Sequence, residues 1–252
     1  MVEILTREAA LSDEDRLFLQ TVEDDTEEAP WMVMGTPQAW SASGLAWSLR
    51  IYVTQERLPW FVASMLPILY QRPGRRRPGQ VAPDVLVAFV EDRVRYSYNL
   101  REEGVVPAFV LEVISPSSVR QDTIKKRRLY ELLGVQEYAL FAPEPSATLP
   151  ALQGYRRGAE GRFVPWQPDG QGRLRGAALD LYLVAEGRSV RAQQLDGTPL
   201  LTPEQADLLA HQAAAARQQA DLRAEREAAA RQQAEDEIAR LRVELQRYRQ
   251  PD

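Results

Sequence analysis

Up to about residue 200, apolar positions fall in short runs bounded by turn residues; beyond it they recur at helical spacing. Leu45, Leu49, Tyr52 and Val53 lie four and three apart, which predicts the inward face of a helix beginning near Ser41. Val62, Ser64, Leu66 and Ile68 alternate as a strand does, but Pro67 interrupts them and implies an edge or a bulge. Val85, Leu86, Val87, Ala88, Phe89 and Val90 form a continuous apolar run introduced by Pro83 and Asp84. Arg93 to Tyr98 reads as a turn or short strand, and Asn99 to Val106 as a loop. Phe109, Val110, Leu111, Val113 and Ile114 then make a second buried strand, with Glu112 in its middle.

A helix follows. Ser118 and Gln121 have capping-box spacing, and Leu129, Leu132 and Leu133 supply an apolar face ending at Gly134. Tyr138, Ala139, Leu140 and Phe141 form a further strand. Strand, helix and strand in one sheet make a right-handed parallel crossover. Tyr155, Phe163 to Trp166, Leu174, Leu179, Leu181 and Tyr182 suggest short strands with Gly170, Gly172 and Gly176 at turns, a small β addition to the same sheet that ends near Pro203. The fold class is therefore α/β, a mixed β-sheet flanked by helices.

From Glu204 onward no glycine occurs, and proline only at Pro251, so the tail is one long helix. ARQQA occurs at 216–220 and 230–234, two heptads apart, and Ile238, Leu241, Leu245 and Tyr248 continue at three-and-four spacing. That is a coiled-coil seam, and residues 204–250 are a candidate homodimer contact. Residues 1–30 are read as an acidic lead-in, loose or forming a peripheral helix, 31–202 as the folded body, and 203–252 as the tail.

Composition narrows the chemistry. The 252 residues contain no cysteine and a single histidine, His211, which lies in the tail. Thiol nucleophiles, serine–histidine triads and zinc sites are thereby set aside, leaving carboxylates, lysine and an oxygen-liking cation. No apolar run is long enough to span a bilayer and no signal peptide is visible, so the expectation is a cytoplasmic protein with no membrane partner. The net charge of −5 hides a segregation: 21 basic and 16 acidic side chains fall in residues 31–202. A mildly basic body permits a polyanionic partner. Arg75, Arg76 and Arg77, between turn residues, are candidate phosphate contacts.

If the strands that carry Asp84 and Glu112 are antiparallel neighbours, the start of one meets the end of the other and the carboxylates share an edge. Like charges so close require a cation between them. Two carboxylates with a backbone carbonyl, taken as that of Val113, and waters suit Mg2+ or Mn2+. Asp122, Lys126 and Tyr130 are spaced four apart on one helical face, so Lys126 can reach back over the strand end, with Asp122, Tyr130 and Lys125 as supporting candidates.

PDVLVAF, PAFVLEVISPSS, the D-x-x-x-K-x-x-x-Y spacing from Asp122 to Tyr130 and GVQEYALF together resemble the Uma family of restriction endonucleases, in the PD-(D/E)xK superfamily. The resemblance covers roughly residues 40–200. It implies a restriction-endonuclease-like fold, cleavage of DNA, Asp84 and Glu112 as metal ligands and Lys126 as catalytic lysine. Ile114 stands where the superfamily places its ExK lysine, so a lysine displaced onto the helix, Lys126 or Lys125, has to replace it. Ala108 follows Pro107 where relatives often repeat an aspartate. The competing expectations are a catalytically silent scaffold assembling through its tail, and a nucleic-acid binder without cleavage.

Overall fold

The computed structural model describes residues 11–22, 36–115 and 118–248. Its centre is a six-stranded mixed sheet in the order β1-β4-β6-β7-β8-β9. The strands are β1 (Phe61–Ser64), β4 (Val85–Ala88), β6 (Phe109–Val113), β7 (Glu137–Phe141), β8 (Leu152–Arg157) and β9 (Phe163–Pro165). Within this sheet only β6 and β7 pair in parallel, joined by a helical crossover. A π-helical segment, Gln121–Lys126, leads into α4, Arg127–Leu133, and Gly134 (φ 93°) closes it with its N–H on the Tyr130 and Glu131 carbonyls.

Both faces of the sheet are covered, which explains why β4, β6 and β7 read as continuous apolar runs. On one face Val85, Val87, Phe109, Leu111 and Val113 pack with Leu45, Leu49 and Val53 of α2 (Thr36–Glu56). Each such fully buried aliphatic side chain contributes roughly 1.5–3 kcal/mol. On the other face Leu86, Val110, Tyr138 and Leu140 meet Leu129 and Tyr130 of α4. The pleat puts Glu112 on this second face, two residues beyond Val110.

Two small sheets flank the central one, one of them β3-β2-β5: β2 (Ile68–Tyr70), β3 (Gly79–Val81) and β5 (Tyr98–Asn99). Gly79 sits opposite Tyr70, and a Cβ there would lie 2.4 Å from Tyr70 Cζ. Tyr70 is only 2% exposed, so its ring has little room to retreat. Gly79→Ala should therefore destabilise by about 1–3 kcal/mol in a urea melt; an unchanged midpoint would mean that the hairpin relaxes freely.

Several expectations are corrected. The run from Val62 to Ile68 is two strands in different sheets, with Pro67 between them, because Met65 turns at φ 54°. The loop expected over Asn99 to Val106 contains α3, Leu100–Glu103, capped by the Asn99 side chain on Arg101 N–H. The β addition is divided: β8 and β9 extend the central sheet, whereas β10 (Leu174–Gly176), β11 (Leu181–Glu186) and β12 (Ser189–Gln193) form their own, packed on α2. The capping box lies three residues earlier than expected. Ser115 N–H donates to Ser118 Oγ at 2.9 Å and Ser118 N–H to Ser115 Oγ at 3.1 Å, so the reciprocal pair is Ser115 with Ser118. Within the lead-in, α1 (Asp13–Thr21) is docked through buried Leu19 and through Arg128, which contacts Glu14 at 2.8 Å and Asp15 at 3.3 Å. The acidic cluster 23–28 lies outside the described residues.

Glu137, unremarked in the sequence, is 2% exposed at the start of β7. Its carboxylate accepts from Ala177 N–H at 2.8 Å and Ala178 N–H at 3.3 Å, and burial outweighs these bonds to push its pKa up. The folded state thus holds this proton more tightly than the unfolded chain, whose carboxyl titrates near about 4.3. Stability from protonated Glu137 is complete below that value and is lost as pH rises through the raised pKa. Urea melts from acid to neutral pH should show wild type losing stability relative to Glu137→Gln as pH rises; parallel curves would refute this.

Residues up to Pro203 form one compact unit and those from Glu204 another. The second is α5, Pro203–Tyr248, roughly 69 Å of helix at 1.5 Å per residue. Among the described residues, no helix is long and apolar enough to cross a membrane.

Candidate active site

Asp84 precedes β4, and the antiparallel register of β4 with β6 pairs Val85 with Leu111. One step further sets Asp84 opposite Glu112. Where the ladder ends, Asp84 Oδ2 accepts the Val113 N–H at 2.6 Å, so its carboxylate takes the place of the next strand carbonyl. The Asp84 backbone is braced from the other side, where its carbonyl accepts from Ser64 Oγ at 2.9 Å and Met65 N–H at 3.3 Å. Asp84 is half-buried, whereas Glu112 is 2% exposed.

A carboxylate so deep needs compensating donors. Tyr130 donates its hydroxyl to Glu112 Oε1 at 2.7 Å, and Lys126 Nζ stands 3.2 Å from the same oxygen. Lys126 Nζ is also 3.5 Å from Asp122 Oδ1, itself on a residue 2% exposed. The ammonium thus bridges two buried carboxylates at the edge that carries Asp84. Lys126 ends the π-helical turn, in which the backbone is wider than an α-helix; Thr123 Oγ1 donates to the Val119 carbonyl at 2.6 Å, a back-bond of the kind that bends helices. Tyr138 anchors this turn by donating to the Asp122 carbonyl at 2.9 Å, and its ring lies 5.1 Å from that of Tyr130.

The structure brings together Asp84, Glu112, Asp122, Lys126, Tyr130 and the backbone of Val113. The basic run beside them is divided among different contacts. Lys125 is exposed, Arg127 lies over the Tyr155 ring at 5.0 Å, and Arg128 holds α1. Arg75, Arg76 and Arg77 are exposed in the turn joining β2 to β3, at the opposite end of β3 from Asp84, and do not join the cluster. Sequence reasoning missed the Ser64–Met65 brace, which no local pattern announces.

Among the described residues, no three His, Cys, Asp or Glu side chains are grouped to hold a metal ion. A hard divalent cation that keeps several waters needs only one or two carboxylates. The all-oxygen pair of Asp84 and Glu112 across one register position meets that lesser requirement.

Residues 23–168 match the family model Uma2, described as "Putative restriction endonuclease". No curated protein matches. Among solved structures, the chain is similar to a "putative nuclease belonging to DUF820" from Anabaena variabilis, at 14% identity and a TM-score of 0.39, covering 54% of this chain and 71% of that one.

Proposed function

Because the chain belongs to the Uma2 family, we propose that it is a metal-dependent endonuclease that hydrolyses DNA phosphodiester bonds at the edge formed by Asp84, Glu112 and Lys126. The observation that carries this reading is the buried bridge of Lys126 between Glu112 and Asp122, beside a half-buried Asp84. Asp84 and Glu112, with the Val113 carbonyl, would hold Mg2+ or Mn2+. When bound, such an ion supplies Lewis acidity at the phosphodiester and a more acidic water.

The chain's own residues do the rest. Glu112 and Asp122 hold Lys126 at the site, where its ammonium orients an attacking water and stabilises charge developing on phosphoryl oxygen. Tyr130 keeps Glu112 Oε1 fixed by its hydroxyl. The wall of buried apolar residues around Glu112 lowers the local dielectric and strengthens these charge interactions.

Pairing of α5 with the same helix of a second copy belongs to this proposal. Ile238, Leu241 and Leu245 of the seam are all half exposed. With that seam, Glu237 and Arg242 take positions that attract across a parallel, in-register pair.

The test is cleavage of supercoiled plasmid DNA by the full chain with Mg2+ or Mn2+. Nicking that EDTA abolishes and Glu112→Gln removes is the expected result. Absence of cleavage together with no Mg2+ binding by calorimetry would support a silent scaffold instead. Salt-dependent DNA binding without cleavage would support a non-cleaving binder.

A further inference from the structure

Beside Asp84, at the β1 edge of the central sheet, lies a pocket of about 480 Å³ that none of the proposed catalytic side chains lines. Its floor includes Phe61 and Ser64 of β1, its wall is the segment from Asp92 to Arg95, and Arg50 reaches it from α2. Ser64 is the residue whose hydroxyl bonds the Asp84 carbonyl, so the pocket is one strand spacing, roughly 5 Å, from the chain carrying Asp84.

The wall is anchored from within. The Arg95 side chain is 3% exposed; its Nε and Nη2 donate to the two oxygens of Glu103 at 2.8 and 3.1 Å, its Nη1 donates to the Glu91 carbonyl at 2.9 Å, and its guanidinium lies 4.2 Å over the Phe61 ring. Arg95 is therefore matched by Glu103 and acts as a fixed post. The residues around it face water: Val94 is 86% and Tyr96 94% exposed. An aromatic ring held outward on an anchored loop is a ready stacking surface.

The two other arginines of the lining are available to a ligand. Arg93 contacts Glu103 at 2.9 Å yet stays 58% exposed. Arg50 is 46% exposed and only loosely held, its Nη1 donating to the Val62 carbonyl at 3.5 Å, its Nη2 3.9 Å from Asp92 and its guanidinium 5.5 Å over the Trp47 ring. Three lining arginines against one aspartate leave the pocket cationic, and Glu103, behind Arg95, does not reverse the sign.

We propose that this pocket seats a single DNA strand, with backbone phosphate on Arg50 and Arg93 and a base stacked on Tyr96, so that an adjoining phosphodiester reaches Asp84. The claim rests on the nuclease reading and adds the substrate class. A base offers its face to a side chain only when it is unstacked, which favours single strands, flaps or frayed ends over an intact duplex.

The experiment is fluorescence anisotropy of the full chain in EDTA, with a labelled oligothymidylate of about 16 nucleotides and a duplex of equal length. The single strand should bind more tightly. Tyr96→Ala should weaken it about tenfold, Tyr96→Phe should restore it, and duplex binding should change little. Arg50→Gln and Arg93→Gln should each lower the salt slope by roughly one ion on the strand. Equal affinity of Tyr96→Ala and wild type, or a preference for duplex, would overturn the proposal. Tyr96 is almost wholly exposed, so its replacement leaves packing intact. The two readings fail separately. Tyr96-dependent binding by a chain that never cleaves removes the nuclease and keeps the pocket, while cleavage with an unchanged KM in Tyr96→Ala removes the pocket and keeps the nuclease.

Discussion

Lys126→Met should cost the protein both stability and cleavage, whereas the neighbouring Lys125→Met should cost neither. The Lys126 side chain is 12% exposed and those of Glu112 and Asp122 3% each, with the ammonium 3.2 and 3.5 Å from their oxygens. Methionine fills the same space but leaves two buried carboxylates without that cation. Removing one partner of a buried charge cluster typically costs about 3–5 kcal/mol, far more than the 0–1 kcal/mol of a surface pair. Urea unfolding measures this directly, and a loss below about 1 kcal/mol would show that water already compensates the carboxylates. Adding Glu112→Gln to Lys126→Met should recover part of the loss, since the double variant buries one charge fewer. In plasmid cleavage, Lys126→Met should fall by a hundredfold or more, on the order of the 10²–10³ carried by one electrostatic contact to a developing charge. Lys125, exposed one residue earlier, is the internal control.

Asp84→Asn should separate charge from architecture. The Val113 N–H bond to Asp84 Oδ2 at 2.6 Å can be kept by an asparagine carbonyl, so the strand end stays in place. Only the negative charge disappears. Stability should change by less than about 1 kcal/mol, the scale of a neutral against a charge-assisted hydrogen bond. Cleavage should drop on the order of 10²–10³, because Asp84 would be a charged ligand of a cation whose Lewis acidity is worth several kcal/mol of transition-state charge stabilisation. Asp84→Ala is the contrasting variant: it also leaves the Val113 N–H without this acceptor and should lose a further 1–3 kcal/mol or so of stability. Thermal melts of both proteins alongside nicking assays decide the matter. An Asp84→Asn protein that keeps more than a tenth of wild-type cleavage would take Asp84 out of the chemistry.

How much of this was legible follows from the range of the forces involved. The pairing of Asp84 with Glu112 could be reasoned from two apolar runs joined by a modest loop, because antiparallel register places strand start beside strand end. The alignment of Asp122, Lys126 and Tyr130 was equally accessible, since a spacing of four suggests one helical face. Choosing between Lys125 and Lys126 was not. Adjacent helical residues point about 100° apart, and which one meets Glu112 is set by how the helix docks on β6. The widened turn at Gln121–Lys126 also escaped notice, because it answers to the Tyr138 bond on the Asp122 carbonyl as well as to local sequence.

Other features depended on contacts between segments remote in the chain. Glu137 carries no signal of its own in the sequence, and Ala177 and Ala178, forty residues on, supply the backbone donors to its buried carboxylate. The division of the last strands into β8–β9 and β10–β12 is set by which strands pair across distant segments, not by their similar alternation. Arg50, Phe61 and Arg95 form one pocket although they come from α2, β1 and a loop. By itself, then, the sequence determined the α/β class, the strand–helix–strand unit around Glu112 and the absence of cysteine and histidine from the folded body, since periodicity and composition are local properties. The tertiary structure decided which lysine is buried, where Asp84 ends the ladder and what stands at the open edge, because burial and charge compensation exist only once distant segments have packed.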